Sequence, residues 1–188
     1  MFTSLALVGS ACSGGSGHAS PTTSAALGPN PDVVPLVITA DYVNAVFKVL
    51  NHVNGNAVRT LLSTGQVTPG VQTDLRAIFN DPLYQEEVRI AGQSIQGNLS
   101  NVQRPPGDIQ TTVVELVDSS PSCIFVQTKS TYSAVLVHPT PPAASEYWVL
   151  RPKQPGTDPS GLNPTPWSLS FNANYTTPTT IPDQCSAS

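Results

Sequence analysis

Few side chains in this sequence have the chemistry of a nucleophile, a general base or a metal ligand. The 3 cysteines, Cys12, Cys123 and Cys185, are far apart and form no CxxC pair. The 3 histidines, His18, His52 and His138, are equally scattered. A zinc site is usually announced by paired Cys or His at short spacing, so no metal is expected. No GxGxxG, P-loop, GxSxG or HExxH run occurs, and no cofactor is expected either. His52 falls near a helix end, where a surface imidazole suits the helix dipole. His138 precedes Pro139 at a strand end and reads as solvent-facing.

Proton-transfer chemistry would need a carboxylate held out of water, where desolvation raises its pKa. Asp41, Asp74, Glu115 and Glu146 are the acids placed within regular elements. Asp41 has a capping role, and Asp74 falls on the polar side of its helix. Glu146 begins a strand and reads as a surface charge. Glu115 is the strongest of the four, because Val113 and Val117 are expected on its strand face. None has a partner at a spacing that signals catalysis, so a catalytic residue is not assigned. The aromatic residues Tyr42, Phe47, Tyr84, Tyr132, Trp148, Trp167 and Phe171, with Phe125, could line a pocket. The competing reading is ordinary core, since aromatic side chains supply much of a small domain's burial.

The elements that must position these residues fall into two halves. Asp41 to Leu62 places Val43, Val46, Phe47, Leu50, Val53, Ala57 and Leu61 at steps of three and four, one face of a helix. Thr39 is its expected N-cap. Asn54-Gly55-Asn56 either ends this helix and starts a second or kinks one continuous helix. Thr68-Pro69 marks the next start, followed by Val71, Leu75, Ile78 and Phe79. Asp81-Pro82 repeats the signal, with Tyr84, Val88, Ala91 and Ile95 on one face.

Beyond Arg104-Pro105-Pro106-Gly107 the period changes from helical to alternating. Ile109–Val117 is β-branched and reads as a strand. Cys123–Val137 reads as one long strand, bent or bulged near Thr128 to Ser130, and pairs with the first as a hairpin. Glu146–Arg151 is a third strand. In Trp167–Asn174, Trp167, Leu169, Phe171 and Ala173 are expected inward, with Ser168, Ser170, Asn172 and Asn174 outward. Helices first and then about four antiparallel strands define an α+β domain. This order and these lengths, over about residues 39–176, resemble the NTF2-like (cystatin-like, SnoaL-type) fold. There a curved sheet wraps a long N-terminal helix into a cone. The resemblance implies ligand binding, isomerisation, dehydration or protein assembly, and does not choose among them.

At the start of the chain, Phe2, Leu5, Ala6, Leu7 and Val8 form an apolar run too short to span a bilayer. It ends in Gly9-Ser10-Ala11-Cys12, which resembles a bacterial lipobox. The resemblance implies that residues 1–12 are a lipoprotein-type signal peptide and that Cys12 is lipidated. It then becomes the mature N-terminus, anchored to the cell membrane outside the cytoplasm. An ordinary secretory leader that leaves Cys12 free is the other reading. Residues 13–38 are rich in Pro, Gly, Ser and Thr and read as a flexible linker. Residues 39–188 form the single domain and its C-terminal tail. With Cys12 lipidated, Cys123 and Cys185 become a natural disulfide pair that pins the tail. A free buried thiol and a metal site are the alternatives.

Composition narrows the class further. Charged residues make up 11% of the chain, well under the average of about 25%. Among 19 prolines and 13 glycines the surface is polar but weakly charged, which suits an extracytoplasmic protein. The 8 Lys and Arg residues are dispersed, so no stripe exists to neutralise phosphates, and nucleic-acid binding is rejected. The expectation is a cell-envelope lipoprotein acting as a tethered binding or assembly module. Its partners would be the membrane, through the lipid, and an envelope protein or a small apolar ligand. The alternatives are an isomerase- or dehydratase-type enzyme and a carrier of a small apolar molecule.

Overall fold

A computed structural model describes residues 28–97, 99–139 and 141–186. The leader, Cys12 and the first part of the expected linker lie outside the described residues. Three helices precede four strands: α1 Ala40–Thr64, α2 Pro69–Ile78, α3 Leu83–Gln96, then β1 Gln110–Ser120, β2 Cys123–Thr131, β3 Ser145–Pro152 and β4 Trp167–Tyr175. The strands form one antiparallel sheet in the order β1-β2-β3-β4. The class is α+β, with the helices packed on one face of the sheet.

The start of α1 is set by Thr39, whose hydroxyl accepts from the Tyr42 N–H. Its end is set by Gly65, which adopts a left-handed φ of 64° that costs glycine little. The helix runs unbroken through Asn54-Gly55-Asn56, so the kink-or-break signal does not end it. Gly55 is there for space: a Cβ on it would lie 2.2 Å from Asp108 Oδ1. Thr68 caps α2 with Pro69 in its first turn, as the sequence indicates. At α3, Pro82 itself is the cap residue and no side chain caps the helix; the Asp81 carboxylate is paired with Arg76 at 2.7 Å instead.

One face of α1 and α2, with Phe79, buries its apolar residues against Ile124, Val126, Leu150, Trp167 and Leu169 of the sheet. Val34 and Ile38, within the stretch read as linker, also pack on this core. A second cluster lies on the opposite face, where Cys123, Phe125, Tyr147 and Val149 meet Phe171, Tyr175, Ile181 and Cys185. The C-terminal tail crosses this face as a strap. Tyr147 donates its hydroxyl to the Thr179 carbonyl at 2.7 Å, and the Ser145 hydroxyl accepts from the Thr179 N–H at 2.9 Å. Cys123 and Cys185 close the strap at disulfide distance, S–S 2.02 Å.

Bulges account for the departures from simple alternation. Val114 and Val117 are extra residues in β1, and Ser170 is one in β4. An extra residue resets which face the following side chains take. Trp167 and Leu169 therefore face the helices, whereas Phe171 packs on the strap side. The inward placement expected for Phe171 is corrected by that bulge. The long strand expected to reach Val137 stops at Thr131. Tyr132 then starts a turn in which its carbonyl accepts from the Val135 and Leu136 N–H groups. The Ala134 carbonyl in this turn accepts from Gly107, so the loop before β1 takes up the hydrogen bonding.

Asn163 and Asp158 order the proline-rich loop before β4; the Asp158 carboxylate accepts from the Leu162 and Asn163 N–H groups. Asn163 is fully buried; its amide donates to the Ala77 and Trp167 carbonyls, and its Oδ1 accepts from Thr165 twice. All its principal bonding capacity is used, which is what burial of an amide requires.

Candidate functional site

The space between α1 and β4, where a cone-shaped ligand cavity would lie, is filled. The indole N–H of Trp167 donates to the Tyr42 hydroxyl at 2.8 Å. Phe47 packs edge-on against Trp148, with ring centroids 6.4 Å apart. The residual cavity there is about 40 Å³. Tyr42, Phe47 and Trp167 are thus core residues and line no open pocket. The Arg76 guanidinium carbon lies over the Tyr84 ring, 4.6 Å from the ring centroid, as a cation–π contact on the surface of the helical layer. Phe171 borders a shallow groove beside Pro82 and Arg89.

The open space is at the end of the sheet. A cleft of about 510 Å³ is lined by Tyr132, Pro141, Pro142, Ala143, Glu146, Asn174, Tyr175 and Thr176. Its sides come from strand ends and a loop that the fold brings together. Tyr132 follows the last residue of β2, Glu146 is the second residue of β3, and Asn174 and Tyr175 close β4. Asn174 is the direct cross-strand partner of Glu146. The loop carrying Pro141 and Pro142 is held to the sheet through the Ala144 N–H, which donates to the Tyr175 carbonyl at 2.8 Å. Of the aromatic residues singled out by the sequence, only Tyr132 lines this cleft.

Glu146 is the unexpected residue. It was expected at the surface, yet it is 3% exposed. Its Oε1 accepts from Ser130 Oγ at 2.9 Å and from Trp148 Nε1 at 2.9 Å. Behind Ser130 the bonds run in one direction. Asn51 donates its amide to Thr111 at 3.0 Å, Thr111 and Ser130 are 3.0 Å apart, and Ser130 passes its only hydroxyl proton to Glu146. Because Ser130 has one proton to give, Thr111 must be its donor. A polar wire thus joins the middle of α1 to a carboxylate at the cleft floor. Among the described residues no Lys or Arg forms an ion pair with Glu146. The nearby Tyr132 hydroxyl has its pKa raised, first by burial and then by the negative charge of Glu146; a hydrogen bond with Ser130 partly offsets this, and Glu87 adds a smaller rise. Tyr132 therefore stays a neutral phenol able to donate across the physiological range.

The other acids stand apart. Glu115 follows the first bulge, lies opposite Gln127 and is exposed. The bulges separate it from the buried face on which Val113 and Leu116 pack. Asp41 is exposed, and Asp74 is half-buried with its pKa raised by that burial. His52 is 64% exposed with Nδ1 2.9 Å from Asp108, which also accepts from Arg59 at 3.2 Å. His138 is exposed. Among the described residues the one grouping with metal-ligand potential is Asp118, Asp183 and Cys185. Its sulfur is within bonding distance of Cys123, so it offers no thiolate.

No family model, characterised protein or solved structure matches the chain. Among the described residues no helix is long and apolar enough to cross a membrane.

The sequence signal for Glu146 was weak because both parities of Glu146–Arg151 are largely apolar, so alternation could not assign its face. The clue lay in the neighbouring strand. Thr128 and Ser130 continue the parity of Ile124 and Val126, and a polar end to a buried face needs a polar partner.

Proposed function

We propose that this chain is a cell-envelope lipoprotein, tethered through Cys12, whose domain is a binding module and not an enzyme. The observation that carries the binding half is the contrast between a filled interior and an open cleft floored by Glu146. Ligand pockets are concave, largely apolar and furnished with a few convergent polar groups. The cleft has that make-up: prolines and tyrosines for walls, one buried acceptor and one phenol donor. Helices followed by an antiparallel sheet agree with the order that the NTF2-like resemblance implies. A residual interior of about 40 Å³ is far too small for a carried apolar molecule. The anchoring half rests on the lipobox resemblance at Gly9-Ser10-Ala11-Cys12 and on the cysteine pair that an oxidising compartment would keep closed.

One observation favours a second reading, proton transfer in the manner of NTF2-like isomerases: Glu146 is a largely buried carboxylate near the phenol of Tyr132. Against it, Oε1 is already engaged by two donors. The binding reading takes these residues as they stand.

Metabolic labelling with an alkynyl fatty acid tests the tether. The chain takes up label and its Cys12→Ser variant does not; an unlabelled chain removes the anchor. Native mass spectrometry of the detergent-extracted full chain tests the module. A bound species that is lost on Tyr132→Ala supports it. A chain extracted bare, with no added mass, counts against it.

A further inference from the structure

The binding-module reading leaves the ligand's chemistry open, and Glu146 narrows it. Its two hydrogen bonds both enter Oε1. Oε2 receives none from any described residue, while the side chain lines the cleft. A buried carboxylate with no counter-charge is costly to keep, because its lost hydration is repaid only by donors or an opposite charge. Two neutral donors satisfy half of it. The cleft lining contains no Lys and no Arg, and the ion pairs formed by Arg59, Arg76, Arg89 and Lys153 involve other acids.

The rest of the site points the same way. Glu87 acts on Tyr132 with the same sign as Glu146, so the field at the phenol is negative. Tyr132 shares the cleft with Glu146, and an aromatic ring attracts cations through its quadrupole. An anionic ligand would meet repulsion here, and a wholly apolar one would cover Oε2 without replacing its water.

We infer that the Glu146 cleft takes a cationic group, an alkylammonium or guanidinium, seated beside Tyr132 with its N–H groups donating to Glu146 Oε2. Two sources carry this chemistry: a free amine and the Lys or Arg side chain of a partner polypeptide. This inference rests on the binding-module reading, and its failure can be told apart from the failure of that reading.

The test is NMR titration of the full chain, following the tyrosine ring resonances. The probes are 1,5-diaminopentane, blocked Gly-Lys-Gly and Gly-Arg-Gly tripeptides, and the neutral and acidic analogues pentanol and hexanoate. Saturable shifts with the cationic probes alone are expected. A preference for the diamine identifies a free amine; a preference for a tripeptide identifies a side chain. Glu146→Gln keeps an amide oxygen for Ser130 and Trp148 and removes the charge. It should retain the wild-type melting profile and weaken cation binding by about tenfold or more. Asn174→Lys changes an exposed residue and sets an ammonium directly across from Glu146. It should block cation binding even if Glu146→Gln folds poorly. Equal binding of the neutral or acidic probe overturns the cation inference and leaves the module standing. Unchanged cation affinity in both variants, or no binding of any cation, also overturns it.

Discussion

The Trp167 indole nitrogen and the Tyr42 hydroxyl oxygen lie 2.8 Å apart with both residues buried, 125 positions apart in sequence. This bond fastens the last strand to the first helix and closes the interior of the domain. Tyr42→Phe leaves the ring in place and the indole N–H without its acceptor. The expected loss is about 1–3 kcal/mol, the cost of an orphaned buried donor. Urea unfolding should show a lower midpoint with an unchanged slope. An unchanged midpoint would mean that the N–H finds another partner.

The strap on the opposite face depends on the cysteines. Cys123 and Cys185 enclose a separation of 62 residues. In the chain-entropy model a link of that span stabilises by about 4 kcal/mol, although measured values are often lower. The double variant Cys123→Ala, Cys185→Ala should melt well below the wild type. Amide exchange should rise at Thr179, whose N–H is held by Ser145. A melting temperature equal to that of the wild type would show that Ile181 and the Tyr147 bond suffice to hold the tail.

Gly55 gives a test of close approach. Alanine in a helix interior normally stabilises by up to about 1 kcal/mol over glycine. Here the added carbon would meet Asp108 at 2.2 Å, and Asp108 is held by both His52 and Arg59. Gly55→Ala should therefore fail to deliver the gain. Combined with Asp108→Ala, it should deliver it, so the two changes couple in a double-mutant cycle. Additive effects would show that Asp108 moves aside freely.

The pH dependence of stability has a sign fixed by Glu87. Burial, and then its neighbour Glu86, raise its pKa above the ordinary 4.5. The folded state therefore holds this proton more tightly than the unfolded chain does. Its contribution is fully present below the ordinary carboxylate range and is lost as pH rises through the raised value. Asp74, raised by burial, adds the same sign. The depression of Glu86 by Arg89 acts oppositely, on an exposed surface where solvent screening leaves it little weight. Glu87→Gln should flatten part of the decline in stability above that range and be the more stable form at neutral pH. Parallel wild-type and variant curves would contradict this.

Helix starts were legible because capping is local: Thr39 and Thr68 sit where their hydroxyls meet the first-turn N–H groups. The α+β order was legible for the same reason, since the change of period happens within a few residues. Facing within strands was not. The bulges at Val114, Val117 and Ser170 are backbone irregularities that leave no composition signal, and each one inverts the parity used to assign Glu115 or Phe171. Glu146 was hidden because its burial depends on Ser130 and Trp148 converging from two strands. The cleft depends on three strand ends meeting, which residue spacing does not encode.

Photo-crosslinking in intact cells tests the central claim most directly, with benzoylphenylalanine placed at Ala143 in the cleft wall or at Thr73 on exposed α2. The account predicts a discrete adduct from position 143 that is absent from position 73 and weakened when Tyr132 is replaced by Ala. No adduct from the cleft, or the same adducts from both positions, would contradict it.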